Sequence, residues 1–325
     1  MTELLEVDDL TVTFPTSDGP VTVVRGVCFT LGEREIFGVV GESGSGKSVT
    51  SLAAMGLLPP EVTVTGSVRL RGTELLGLPS RELDRLRGKD IAMIFQDPMT
   101  ALNPVYRVGD QIAESVRAHS PGTSMRDARS RAVEMLDLVG LPAAADRAKA
   151  YPHQFSGGMR QRVVIAMAMV NEPAVLIADE PTTALDVTVQ AQLLETLDRL
   201  RNELGIAIML ITHDLGVVAQ LADRAMVMYA GRPVETGPTA ALFTTPGMPY
   251  TRGLLGSLPQ VGERPHRLTP IPGQPPSMLA LPGGCPFSPR CDRADEQCIA
   301  AEPPLQPLTQ QRHTACHHPL VGSSQ

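Results

Sequence analysis

Tryptophan is absent from this 325-residue chain, and aromatic residues make up only 3% of it. Platforms that stack single-stranded nucleic acid are built from such rings, so none is expected here. A net charge of −7 speaks against a general binder of phosphate backbones. Nucleic acid is therefore not an expected partner. Lysine is nearly missing: only Lys47, Lys89 and Lys149 occur, and the remaining positive charge is arginine. No apolar run approaches the ~18–20 residues that cross a bilayer. The longest, Val163 to Val170 and Ile206 to Ile211, read as a buried helix and a buried strand. Met1 to Glu6 is acidic and lacks the apolar core of a secretory leader, so none is expected. Any service to a membrane would run from the cytosolic side, through partners. Internal repeats of the ~20–50-residue kind are also missing. The five cysteines are unevenly placed. Cys28 stands alone in an apolar, strand-like run and is expected to be a small buried hydrophobe. Cys285, Cys291, Cys298 and Cys316 crowd the end, where the lack of a secretion signal argues against a disulfide framework.

What is present is a core-forming composition, 42% hydrophobic and 19% charged. Strand-like alternation runs from Leu5 to Leu31 around a turn at Ser17-Asp18-Gly19-Pro20. Glu35 to Val40, Val62 to Leu70, Ile91 to Phe95, Val175 to Ala178 and Ile206 to Thr212 read as further strands. Arg224 to Thr236 reads as two strands about Ala230-Gly231. Helical patterns cover Ser48 to Leu58, much of Val108 to Met169, and Thr188 to Leu204. In the last of these, Val189, Leu193, Leu197, Leu200 and Leu204 form one stripe that Gly205 ends. Alternating strands and helices indicate an α/β domain with a parallel core sheet. From about Ser257 proline recurs every few residues and the patterns fade, which reads as a loop-rich extension with little core of its own.

Gly41-Glu42-Ser43-Gly44-Ser45-Gly46-Lys47-Ser48 fits G-x-x-x-x-G-K-[ST], between an apolar strand and a helix. Its glycines let backbone N–H groups converge on a phosphate, and the helix adds its positive end. Lys47 would reach the β/γ-phosphates and the Ser48 hydroxyl would bind Mg²⁺. Asp179 and Glu180 lie just past the buried strand Val175 to Ala178. In a phosphate-loop enzyme the first carboxylate helps hold Mg²⁺, and the second can deprotonate an attacking water. Ser156-Gly157-Gly158 opens a helix, Met159 to Val170, where Ser156 can cap and the glycines expose N–H groups. Taken alone, that stretch is an ordinary helix cap.

Together these motifs resemble the ATP-binding subunits of ABC transporters, over essentially the whole chain. Ser156-Gly157-Gly158-Met159-Arg160-Gln161 is similar to the ABC signature, with Met159 where the commonest form has Gln. The resemblance implies an α/β, P-loop ABC-type ATPase domain over residues 1–256. Its parts would be a parallel-core sheet, an antiparallel β subdomain and a helical subdomain at about 97–173, with a small extension over 257–325. It implies ATP contacts at Gly41, Ser43, Gly44, Ser45, Gly46, Lys47, Ser48 and Val49, with Phe14 stacked on adenine. Gln96 matches the Q-loop glutamine, which senses Mg²⁺ and the attacking water. Mg²⁺ would thus be served by Ser48, Gln96 and Asp179. Ala184-Leu185-Asp186 matches the D-loop and His213 the switch histidine that supports Glu180. In this family two cassettes close head to tail, so Ser156, Gly157 and Gly158 would serve the ATP of a second subunit.

Two features narrow the branch. Gln96 to Pro104, and Gly273-Gln274-Pro275-Pro276 through Gly284-Cys285-Pro286-Phe287-Ser288-Pro289-Arg290-Cys291, resemble the dipeptide/oligopeptide and nickel importers. This implies an ATPase that powers peptide import from the cytoplasmic face of the membrane. Its partners would be a second, paralogous ATPase subunit, two permeases and an extracytoplasmic solute-binding protein. Nickel or another small solute is the alternative cargo. The cysteines, spaced C-x5-C-x6-C-x17-C, match neither the paired zinc spacing nor the ferredoxin run. The resemblance implies a [4Fe–4S] cluster held by Cys285, Cys291, Cys298 and Cys316, with zinc or reduced thiols as the alternatives; His317 and His318 are expected to be a solvated pair, with a ligand role as the alternative. Two other readings are a soluble ABC ATPase of DNA repair or translation, and a module that binds ATP without hydrolysing it. The single cassette speaks against the first, and Asp179, Glu180 and His213 against the second.

Overall fold

Two long strands open the chain in the computed structural model, which describes residues 3–96, 101–183, 186–257 and 270–320. β1 (Glu3–Thr16) and β2 (Gly19–Gly32) flank the expected turn, where Gly19 takes a φ of 110°. Period-two alternation sends Val27 and Phe29 inward and Cys28 outward, so Cys28 is exposed and not the buried hydrophobe the apolar run implied. All five residues of β3 (Ile36–Val40) are buried, as an inner parallel strand requires. Helix α1 (Lys47–Ala54) follows, shorter than the sequence pattern implied. Gly56, at φ 61°, and the Pro59-Pro60 pair end it before Leu58. β4 (Thr63–Leu70) and β5 (Thr73–Glu74) complete a four-stranded sheet of order β2-β1-β4-β5.

The chain divides into two compact, interleaved units: Met1–Leu5, Leu31–Glu35 and Gly77–Leu210 in one, and Glu6–Thr30, Ile36–Leu76 and Ile211–Gln325 in the other. The first is mainly helical. It carries α2 (Ser80–Leu86), β6 (Ile91–Ile94), α3 (Val108–His119), α4 (Met125–Leu138), the short α5 (Ala144–Arg147), α6 (Gly157–Met169), β7 (Val175–Asp179) and α7 (Val187–Leu204). Helices α3, α4 and α6 pack together through fully buried Ile112, Val116, Ala132, Leu136 and Val163. Ser124 caps α4 by accepting from Asp127 N at 3.2 Å, and Gly140 at φ 76° follows its end. β6 and β7 pair in parallel, from Ile91 opposite Val175 to Ile94 opposite Ala178.

In β8 (Ala207–Thr212) the chain passes back to the other unit. There follow α8 (Leu215–Leu221), β9 (Arg224–Tyr229), β10 (Arg232–Pro238), α9 (Thr239–Thr244) and α10 (Pro249–Gly256). β9 runs parallel to β3 and antiparallel to β10, joined by the Ala230-Gly231 turn. The described residues of the tail carry more regular structure than its proline content implied. It contains a 3₁₀ turn at Ser288–Arg290, helix α11 (Glu296–Ala300), and the hairpin β11 (Gln306–Thr309) and β12 (Arg312–Thr314). β12 pairs antiparallel with β10, so the tail extends the sheet that contains β3. It also has a core, which it shares with this unit. Phe287, Cys285, Cys298, Ala315 and Cys316 pack into one cluster with Tyr229, Tyr250 and Val40. Among the described residues no helix is long and apolar enough to cross a membrane.

Candidate active site

The loop after β3 has the geometry of a phosphate cradle. Gly41 sits at φ 153°, and a Cβ there would lie 2.3 Å from the Met228 carbonyl oxygen, so only glycine fits. Gly44 and Gly46 are at φ 79° and 98°, and Gly46 caps α1, aiming its N–H groups back over the loop. Lys47 is 5% exposed; its Nζ donates to the Gly41 carbonyl at 2.8 Å and the Glu42 carbonyl at 3.0 Å. The Ser45 hydroxyl is buried with no hydrogen-bond partner among the described residues, an orphan that a phosphate oxygen would satisfy. Ser43 and Gly44 are exposed on the loop, and Ser48 and Val49 are half-buried at the start of α1. Phe14 is half-buried in β1.

The acidic end of β7 belongs to the helical unit. Asp179 is 4% exposed, while Glu180 takes a φ of 47°, left-handed backbone that costs a non-glycine residue about 1 kcal/mol or more. Its carboxylate oxygen Oε2 accepts from Gln96 Nε2 at 3.1 Å and from the Thr183 hydroxyl at 2.8 Å. Sheet register explains the first contact. Ile94 pairs with Ala178, and Gln96 and Glu180 each lie two residues beyond. Thr183 was missed by sequence reasoning. The signal was a turn after the strand, in which Thr183 N donates to the Glu180 carbonyl at 3.1 Å. Residues 97–100 of the Q-loop motif, and Ala184 and Leu185 of the D-loop motif, lie outside the described residues.

In the same unit Ser156 caps α6, accepting from Met159 N at 3.4 Å. Gly157 has open space where a Cβ would stand. At Gly158 a Cβ would lie 2.4 Å from Val189 Cγ1 in α7, so the glycine permits close approach of the two helix starts. Asp186 caps α7 by accepting from Val189 N at 3.0 Å, a local structural contact. His213, in the other unit, is exposed between β8 and α8, and Asp214 caps α8 by accepting from Gly216 N at 2.8 Å.

In the tail, Cys285, Cys291, Cys298 and Cys316 line one cavity together with Met248 and Phe287. All four are free thiols; Cys285, Cys298 and Cys316 are buried and Cys291 half-buried. Burial pushes the Cys316 thiol up to about 11, with the other three thiols adding to the shift. Cys285 is raised in the same way, by burial first. The histidines are half-buried. His317 Nε2 lies 3.0 Å from the Ala301 carbonyl, and His318 Nε2 lies 2.8 Å from Asp295, which also caps the short helix carrying Cys298. The ligand atoms of Asp295, Cys298 and His318 fall within 4.8 Å of one another.

Known proteins resemble this chain. A family described as "ABC transporter" matches residues 24–183, and one described as "Oligopeptide/dipeptide transporter, C-terminal region" matches residues 234–298. An oligopeptide transport ATP-binding protein of Salmonella typhimurium is 53% identical over 317 residues, covering 98% of this chain and 94% of its own length. The chain belongs to the family of ABC transporter ATP-binding proteins. A dipeptide transport ATP-binding protein of Bacillus subtilis is 52% identical to this ABC protein, covering 93% and 91% of the two chains. The oligopeptide transport ATP-binding protein of Mycobacterium tuberculosis is 55% identical, but this chain spans only 52% of its length. Among solved structures, a dimeric bacterial ABC transporter cassette, MJ0796, matches with a TM-score of 0.65 at 27% identity, over 73% of this chain and 99% of its own. A post-hydrolysis dimer of the same cassette, bound to ADP and Pi, matches with a TM-score of 0.65 at 26% identity, over the same shares of the two chains.

Proposed function

We propose that this chain hydrolyses Mg-ATP to power import of peptides through an ABC transporter. The observation that carries the reading is Glu180: a strained carboxylate at the end of a buried strand, held by Gln96 and Thr183. Strain of this kind collects where geometry serves chemistry. The glycines at 41, 44 and 46, Lys47 and the orphaned Ser45 hydroxyl fit a triphosphate. Ser48, Asp179 and Gln96 would hold Mg²⁺, which neutralises charge on the β- and γ-phosphates when bound. Glu180 orients and deprotonates the attacking water, with Gln96 and His213 in support. Phe14 stacks on adenine. Ser156, Gly157, Gly158 and Asp186 serve a site completed by a second, paralogous ATPase subunit, as dimer closure requires.

The working division is an ATPase domain over 1–256, with a helical subdomain at about 97–173, and an extension over 257–325. Two permeases and a solute-binding protein complete the importer, with this subunit peripheral at the cytoplasmic face. Peptide cargo follows from the names of the relatives and the matching C-terminal family. The reading is tested by ATP-driven uptake of labelled peptide into vesicles holding the assembled transporter. ATP hydrolysis that peptide-loaded binding protein does not stimulate, or that nickel chelates stimulate instead, refutes peptide cargo.

The four-cysteine cavity fits a polynuclear cation site. Its four thiols line one cavity and are free, a donor set that suits a thiophilic cation. A tetrahedral zinc with Zn–S bonds of about 2.3 Å would bring the sulfurs to about 3.8 Å of one another. Among the described residues no three of these thiols fall within 4.8 Å, which favours the larger [4Fe–4S] cluster over zinc. Cys285, Cys291, Cys298 and Cys316 would hold it, and the four Fe–S bonds would cross-link the tail. Iron and sulfide analysis of anaerobically purified protein checks this; stoichiometric zinc without iron refutes it.

A further inference from the structure

The phosphate loop carries a charge that works against its task. Glu42 follows Gly41 directly, and a carboxylate beside a bound triphosphate repels it. In the structure this carboxylate is paired. Arg290, in the 3₁₀ turn between Cys285 and Cys291, grips it in bidentate fashion, NH1 to Oε2 at 2.6 Å and NH2 to Oε1 at 2.9 Å. Arg290 is itself fixed: Nε donates to the Pro272 carbonyl at 2.9 Å and NH1 to the Tyr229 hydroxyl at 3.3 Å. Its guanidinium lies 5.9 Å from the Tyr229 and Phe287 ring centroids, and its side chain is 4% exposed. Hydrogen bonds to Glu42 hold the guanidinium firmly protonated. Glu42 is also held by its backbone. Its N–H donates to the Tyr250 hydroxyl at 2.9 Å, and its carbonyl accepts from Lys47 Nζ at 3.0 Å. Tyr229, Tyr250 and Phe287 pack with ring centroids 4.5 to 5.4 Å apart beneath these contacts.

We propose that Arg290 is a positioning residue of the nucleotide site: it neutralises Glu42 and fixes the loop that presents Lys47, making the C-terminal extension part of the nucleotide-binding machinery. The inference rests on the reading that ATP binds at Gly41 to Ser48. A lysine would not replace Arg290, because a single ammonium cannot span both carboxylate oxygens in the planar fork.

The test is titration of the full-length chain with a fluorescent ATP analogue and Mg²⁺. Arg290→Ala is expected to weaken binding about tenfold, because Glu42 is then left unpaired beside the phosphates, and Arg290→Lys about threefold, because an ammonium neutralises Glu42 without fixing both its oxygens. Glu42→Gln introduced into the Arg290→Ala background should recover most of that loss. A residue that merely docked the tail would not be rescued in this way. Thermal melts identify any variant that fails to fold, and Arg290→Lys keeps the charge and bulk should Arg290→Ala fail. Wild-type affinity in folded Arg290→Ala, or a double variant as weak as the single one, overturns the proposal. Lys47→Ala run in parallel separates the two readings. If the wild type shows no saturable, Lys47-dependent binding, the nucleotide reading itself fails and this inference falls with it.

Discussion

Replacing Glu180 with glutamine isolates base strength from geometry. Two hydrogen bonds to the carboxylate, from Gln96 at 3.1 Å and Thr183 at 2.8 Å, arrive at Oε2. The amide oxygen of a glutamine can accept both, and the side chain keeps its length, so the strained backbone at φ 47° need not move. What disappears is the ability to take a proton from water. General-base assistance is worth about 10²–10⁴-fold. That corresponds to about 3–5 kcal/mol in the activation barrier at ~1.4 kcal/mol per factor of ten. Phosphate release by the assembled transporter should fall by that factor, while the affinity for Mg-ATP stays within about twofold of wild type, since no phosphate-binding group has changed. Thr183→Ala removes one restraint and leaves the base, so it should cost far less, about tenfold or below. Near-normal turnover in Glu180→Gln refutes the general-base role. A parallel collapse of nucleotide affinity refutes it too, by placing Glu180 in binding.

Other perturbations follow from single contacts. Gly158→Ala places a methyl 2.4 Å from Val189 Cγ1 and should destabilise the helical unit by about 1–3 kcal/mol, with Val189→Ala restoring the melting temperature; an unchanged melt of the single variant contradicts the close packing. Arg312→Ala strands the fully buried Glu235 carboxylate, which otherwise pairs with Arg312 at 3.0 Å. It should cost about 3–5 kcal/mol in denaturant unfolding, and adding Glu235→Gln should reduce the loss. Burial opposes ionisation of Glu302, but its hydrogen bonds from Arg25 and Arg232 outweigh that and hold its pKa below the ordinary 4.5. Because the folded pKa is depressed, its stabilisation is complete above pH 4.5 and is lost as pH falls through the folded value. The stability difference between wild type and Glu302→Gln should therefore be constant near neutrality and shrink in acid; a difference that grows on acidification reverses the sign.

The phosphate loop was legible because strand, glycine turn and helix are local, and each φ above zero falls on a residue type that accepts it. The helix caps at Ser156 and Asp186 are of the same kind. The meeting of Gln96 with Glu180 was not legible. It depends on the register of β6 against β7, and their partners are 84 positions apart. Nor was Thr183, whose threonine is ordinary until the turn folds it onto Glu180. Cys28 misled because an apolar run hides which face of a strand each residue takes. The tail misled for a different reason. Its own residues hold too few apolar side chains for a core, and the missing partners, Tyr229 and Tyr250, lie outside it.

The scarcity of lysine and surplus of arginine acquires a physical reading in how that tail is attached. Arg25 and Arg232 meet Glu302, Arg290 meets Glu42, and Arg312 meets Glu235. Each contact joins a residue of the tail to one earlier in the chain, and each donor is an arginine. A planar fork sets direction and register, which a lysine ammonium does not. Such pairs contribute little net stability when buried, because desolvation offsets most of the attraction. Breaking one partner, in contrast, leaves a costly unpaired charge. Beside the shared core and the β10–β12 pairing, such pairs favour one seating of the proline-rich segment over others. Hydrophobic docking of equal strength would tolerate slippage by a residue or two. The phosphate loop, in which Glu42 must stay neutralised, does not tolerate it.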